Sequence, residues 1–143
     1  MTPLPKSLLE VHEHNTLDYK PLIDFQSWRV ALMNYTPDLT PDKIHRMQKH
    51  TQTDEVFVLL AGRCILFLGE GEESVTSVHA VDMELFKLYN VKRGAWHSHT
   101  FSKDARVLIV ENRDTTDSNS PFVGLNEEQQ KKVVALTKQL WSG

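Results

Sequence analysis

The chain is short of several things. It has one cysteine, Cys64, in 143 residues, so no internal disulfide can form. No apolar run approaches the ~20 residues that cross a bilayer. The start, Met1-Thr2-Pro3-Leu4-Pro5-Lys6, lacks the apolar core of a signal peptide. Neither sign of charge dominates: 16 Lys and Arg stand against 19 Asp and Glu, a net charge of −3. That leaves no basic footprint for nucleic acid. Internal repeats and low-complexity tracts are missing too. These absences point to a cytoplasmic protein that needs neither nucleic acid nor membrane as partner. What is there is a length suited to one domain, residues 1–143, and 40% hydrophobic residues, enough for one core.

Helical periodicity is also scarce before the last residues. Trp28 to Tyr35 alternates as a strand does, and Pro37 and Pro41 bracket the turn that ends it. From Lys43 onward Ile44, Arg46, Gln48 and His50 share one face; His45, Met47 and Lys49 share the other. Val56 to Leu60 is apolar on both faces, the pattern of a strand with both sides covered. Cys64–Leu68, Val75–Val81, Glu84–Val91 and Arg106–Glu111 are further extended segments, with polar loops over 69–74 and 111–120. Cys64 reads as an inert core thiol. His79 reads as structural, with no motif around it. Residues 1–27 read as an N-terminal extension in which His12 and His14 have chelating spacing but pass for exposed polar neighbours of Glu13. Residues 126–141 read as a helix, capped by Asn126 and Gln129 and carrying an apolar stripe of Val133, Leu136, Leu140 and Trp141. Short strands followed by one helix, with no helices between, predict an all-β antiparallel barrel or sandwich with a core over 28–111.

The chemistry gathers around His50 to Arg63. Glu55 enters an apolar strand on the face of Phe57 and Leu59, so its carboxylate must be paired, hydrogen-bonded or metal-bound. Farther on, His97 and His99 share a face of Trp96-His97-Ser98-His99. The stretch from His50 through Glu55 to Gly62 resembles the first motif of the cupin superfamily, in which histidine ligands precede a glutamate set six residues before a glycine. Lys92-Arg93-Gly94-Ala95-Trp96-His97 resembles the second motif, with Lys92 where proline is usual. The resemblance runs from Trp28 to Glu111 and is most particular to small single-domain bacterial cupins.

It implies a double-stranded β-helix, the jelly-roll cupin barrel. It also implies a divalent transition metal (zinc, iron, nickel, manganese or copper) held by Gln48, His50, Glu55 and His97. Gln48 stands where such proteins commonly have another histidine, which predicts weaker binding or a harder ion. His50, Glu55, His97 and His99 are the expected catalytic groups; Arg46, Gln48 and Gln52 are expected to touch substrate, with Arg46 able to grip a carboxylate. Two chemistries stay open. A metal polarises the substrate or activates water, or a metal-free His–Glu cluster does acid–base work. By resemblance the enzyme would be of lyase, isomerase or oxygenase type, acting on a small carbohydrate or organic acid. A non-catalytic ligand sensor is the other class. A homodimer joined through sheet edges or exchanged N-terminal strands is also implied, since open sheets have edges to cover.

Overall fold

The computed structural model describes residues 2–142. Along the chain come β1 (Tyr19–Phe25), β2 (Trp28–Asn34), β3 (Arg46–Gln48), β4 (Glu55–Ala61), β5 (Cys64–Glu70), β6 (Ser77–Asp82), β7 (Leu88–Val91), β8 (Trp96–Phe101), β9 (Arg106–Asn112), β10 (Phe122–Gly124) and α1 (Glu127–Trp141). They form two five-stranded sheets, β1-β2-β9-β4-β7 and β10-β3-β8-β5-β6. Paired strands are antiparallel throughout. This is the expected all-β jelly roll with a C-terminal helix. No helix of the described residues is long and apolar enough to cross a membrane.

Side-chain alternation builds two cores. Ala31, Met33, Phe57, Leu59, Cys64, Leu66, Val107 and Ile109 fill the space between the sheets. Ile65, Phe67, Val78 and Trp96 point the other way, from the second sheet onto Val133 of α1, with Leu136, Leu140 and Trp141 packed at the margin. The helix starts with the expected capping box: Asn126 Oδ1 accepts from Gln129 N at 2.8 Å, and Gln129 Oε1 accepts from Asn126 N at 3.0 Å. It ends where Trp141 Nε1 donates to Asp82 Oδ1 at 3.0 Å, an aspartate also paired with Arg63 at 3.0 Å.

Several expectations need correcting. The strand β1 lies within the expected extension and forms an edge of the first sheet. Its Pro21 is tolerated there because an edge strand has one side free of the ladder. Strand β10 likewise extends the second sheet beyond the expected core. His12 and His14 do not act together: His12 is exposed beside Glu10, whereas His14 is buried and donates from Nε2 to Asp18 O at 2.8 Å. His79 is an exposed group near Glu70. Only one face of β4 is fully covered, with Leu60 38% exposed, because α1 packs on the other sheet. The alternation expected from Lys43 is shortened because a 3-10 turn at Pro41–Lys43 precedes Ile44 and β3 starts only at Arg46, and both Ile44 and Met47 reach the core under the helix.

Gly62 makes the turn from β4 of the first sheet to β5 of the second at φ +70°, and a Cβ there would lie 2.6 Å from Ala105 Cα and N. Gly94 has φ +82° but open space around it. Gly62→Ala is therefore expected to cost about 2–4 kcal/mol, combining backbone strain with a steric shift, and Gly94→Ala about 1 kcal/mol from strain alone. Urea unfolding of both variants checks the difference; equal losses would contradict it.

Candidate functional site

Three side chains from distant parts of the chain meet on the inner face. Glu55 opens β4, next to the Val56–Val110 pair and so opposite Glu111 of β9. His97 is the second residue of β8 and pairs with Gln48 of β3. His50 follows β3 in a loop pinned by Gly94 N, which donates to His50 O at 2.8 Å, and by Thr51 N, which donates to Asn119 O at 3.1 Å. The turn at Gly94 thus ties the two sequence motifs together. His50 Nε2 and His97 Nε2 each stand 3.0 Å from one atom, Glu55 Oε1. All three residues are buried, and their potential ligand atoms lie within 4.8 Å of one another.

The outer ring nitrogens decide what this trio can hold. His97 Nδ1 lies 3.0 Å from Ala95 O. A carbonyl only accepts, so Nδ1 carries the hydrogen. His50 Nδ1 lies 2.7 Å from Ser120 Oγ, and that hydroxyl donates to Asn119 Oδ1 at 3.1 Å, so it too accepts from the ring. With Nδ1–H turned outward on both rings, each Nε2 faces the same carboxylate oxygen, either as a proton donor to it or as a lone pair open to a cation. Three lone pairs converging repel unless a proton or a metal cation sits among them. Outward N–H groups held by oxygen acceptors are also how metal-bound histidines are oriented, so the donor set fits an ion.

Burial alone would raise the Glu55 carboxyl, but hydrogen bonds from His50 and His97 overcome it and hold it well below the usual carboxylate range. Burial would lower His97, yet the hydrogen bond and charge of Glu55 leave it raised. Glu111 moves the opposite way from Glu55. Burial, then the hydrogen bond and negative charge of Glu55, push it up to about 8. Tyr19 Oη donates to Glu111 Oε1 at 2.7 Å. Across the sheet, Asp24 pairs with Arg29 and Arg29 with Glu111, so Asp24, Arg29, Glu111 and Glu55 make one ionisable row.

Sequence reading missed Glu111, Tyr19 and Ser120. A signal existed for Glu111, since it alternates inward with Val107 and Ile109; Tyr19 and Ser120 reach the site only through tertiary pairing. A cavity of about 300 Å³ opens over the trio, with Gln48, His99, Glu111 and Tyr19 in its walls. Gln48 turns its amide nitrogen to Ser120 O at 2.9 Å. Arg46 lies outside this cavity, in an adjoining one of about 220 Å³ that shares Gln48, His97 and His99. Gln52 is in neither: Asn112 Nδ2 donates to its carbonyl at 3.1 Å, and the loop leaves it exposed. Its expected contact with substrate is not supported, because the segment after His50 is fastened outward along the 112–119 loop. Cys64 is buried with its thiol raised by burial, which suits the inert role. A larger cavity of about 590 Å³, between residues 15–17 and the start of β9, contains none of the trio.

No protein-family model and no curated protein sequence matches the chain. Solved structures do. A cupin-2 domain containing protein from Shewanella frigidimarina superposes with a TM-score of 0.50 at 15% identity, over 76% of this chain and 88% of that one. The Streptomyces protein Pac13, a nucleoside dehydratase, gives 0.53 at 8% identity over 82% and 96%. The chain has the cupin fold. FeII HppE gives 0.51 at 19% identity, over 66% of this chain and 48% of HppE. At such identities the cupin likeness is one of architecture, and chemistry must be argued from the residues.

His99 faces inward between Phe57 and Phe101, at centroid distances of 5.6 and 4.7 Å. Its Nδ1 is buried without a partner. Burial, then the nearby His97 charge, push it down to about 4. A ring so far below its ordinary value is a neutral hydrogen-bonding group at physiological pH and a poor proton acceptor. The unfolded chain takes up a proton near 6.5, the folded one only near 4. His99 therefore favours folding above about pH 6.5, and that contribution is lost as pH falls through the interval, with a slope of up to about 1.4 kcal/mol per pH unit. Wild type should lose unfolding free energy relative to His99→Phe as pH drops from about 6.5 to 4. Parallel pH profiles would refute the buried neutral ring.

Proposed function

We propose that the chain is a metal-dependent enzyme of lyase, isomerase or oxygenase type acting on a small polar molecule, with a divalent ion held by His50, Glu55 and His97 and Gln48 beside it. The observation that carries this reading is the pair of Nε2 atoms aimed at one carboxylate oxygen while both Nδ1–H groups are engaged outward. Two imidazoles and one carboxylate with an open side suit iron(II), and also zinc, nickel or manganese. An ion bound there polarises a substrate oxygen or activates water. Structures of the same fold include a nucleoside dehydratase and an iron(II) protein, which is in keeping with such chemistry.

The chain's own groups divide the remaining work. Glu55 is the anion and Glu111 the neutral acid at pH 7, a separation of two carboxyls that assigns the proton-donating role to Glu111. Tyr19 fixes Glu111 through its 2.7 Å hydrogen bond. Met33 and Ile109 wall the cavity and limit water. The raised His97 supports a second reading, in which a proton takes the ion's place and the cluster binds a ligand without metal.

Elemental analysis of protein purified without chelators separates the two. Stoichiometric divalent metal is expected, lost in His50→Ala and His97→Ala. Ser120→Ala, which loosens only the outer nitrogen of His50, should weaken metal affinity about 10–100-fold. Metal-free wild type that still binds a sugar or an organic acid would establish the second reading instead.

We further infer a cytoplasmic homodimer. On the first sheet Val30, Val110 and Val56 stand in one cross-strand row and Leu32, Leu108, Val58 and Leu88 in another. Both rows alternate with the core residues and so face outward. Leu88 is 75% exposed, and on the N-terminal arm Leu8 and Val11 are 72% and 83% exposed. A second copy offers each apolar surface its counterpart. Sedimentation should show a dimer at micromolar concentration that Leu88→Lys weakens; a wild-type monomer would rule it out.

A further inference from the structure

The cavity beside the trio has a character of its own. It is about 220 Å³, it shares Gln48, His97 and His99 with the main cavity, and no Asp or Glu lines it. Arg46 and Phe122 form its outer wall, with the guanidinium carbon 3.8 Å from the ring centroid. The register explains the contact. Phe122 pairs with Gln48 and Gly124 with Arg46, so the arginine faces a residue with no side chain and leans over the neighbouring ring.

Stacking uses the flat face of a guanidinium and leaves its N–H edge available. Among the described residues that edge has no hydrogen-bond or salt-bridge partner. Other arginines near the barrel are engaged: Arg29 with Asp24 at 2.9 Å, Arg63 with Asp82 at 3.0 Å, and Arg106 with Asn15 Oδ1 at 3.1 Å. In the wall common to both chambers lies His99, whose Nδ1 is buried and unpartnered. A stacked cation without a counter-ion and a ring nitrogen without a partner border one chamber, which has Gln48, His97 and His99 in common with the cavity over the trio.

We infer that the site has two poles: Arg46, held on Phe122, binds the oxyanion end of a substrate whose hydroxyl or carbonyl end reaches His50, Glu55 and His97. The inference rests on the functional reading above for its second pole only. It assigns the substrate to small elongated anions, carboxylates or phosphate esters, and excludes neutral polyols as the preferred class. It also relocates Arg46 from the trio's own chamber to the far end of the ligand.

Three probes that share a carbon skeleton test it: glycerol, glycerate and glycerol 3-phosphate, titrated by NMR into the full chain as purified and after chelation. Both anions, or one of them, should bind at least about tenfold more tightly than glycerol. The stronger of the two identifies carboxylate or phosphate as the tail. Arg46→Gln should remove about tenfold or more of that affinity, leaving glycerol binding, metal content and the circular dichroism spectrum unchanged. Phe122→Leu should weaken the anions less, by releasing the guanidinium. Glycerol binding as tightly as the anions, no anion binding at any soluble concentration, or an Arg46→Gln variant that binds like wild type would overturn the inference. If His97→Ala abolishes anion binding and Arg46→Gln does not, the anion sits on the trio; the second pole falls and the metal reading survives. Anion binding sensitive to Arg46→Gln, in a protein that takes up no metal, overturns the metal reading and leaves this pole standing.

Discussion

A carboxylate cannot be buried alone, and the placement of Glu55 follows from that constraint. It opens a strand whose next inward residues are Phe57 and Leu59, both 1% exposed. Desolvating the charge there costs several kcal/mol unless partners make it good. The partners come from both flanks: His50 from the loop after β3 and His97 from β8, each at 3.0 Å. Both are themselves fixed from behind, by Ser120 and by the Ala95 carbonyl. The loop at 112–120 is therefore part of the site, although it carries none of the trio. Glu55 gathers three other segments because each supplies something its charge requires.

The second carboxyl obeys the same electrostatics with the opposite result. Glu111 lies across from Glu55, and two carboxylates at that separation cannot both ionise cheaply. The histidines stabilise the charge on Glu55, so Glu111 keeps its proton and accepts Tyr19 as a hydrogen-bond partner. Arg29, next in the row, is already committed to Asp24. The row thus presents one anion, one neutral acid and one ion pair along a single edge of the cavity. That is an ordered set of proton donors and acceptors, and it arises from strand register together with the histidines beside Glu55.

Much of this was legible in the sequence because it is local. The spacing from Glu55 to Gly62 reports a strand of fixed length between a polar entrance and a backbone position at φ +70°. The capping residues Asn126 and Gln129 announce the helix for the same reason, since their partners lie within one turn. What escaped is long-range. Glu111 looked like the end of an apolar strand because its neighbour Glu55 lies on another strand. Tyr19 sits on an edge strand that Pro21 disguises as a loop. Gln52 has the right composition and the wrong orientation, because its backbone is tied to Asn112. His99 was legible, because β8 runs unbroken from Trp96 to Phe101 and strand alternation keeps it on the face of His97.

The two chambers have a common structural cause. Strand β8 pairs with β5 along its length, from Gly69–Trp96 to Cys64–Phe101. On its other side it meets β3 at one registered pair only, Gln48–His97. A complete ladder there would bring Arg46 and Met47 against Ser98 and His99 and leave no room for a second chamber. The sheet instead parts beyond Gln48, and the short strands β3 and β10 diverge from β8 with Arg46 and Phe122 on their rim. The fold gives up ladder hydrogen bonds next to its most costly buried group and gains an opening there. Such a gap beside a rigid polar cluster is what a ligand must have if it is to reach both the cluster and the stacked arginine.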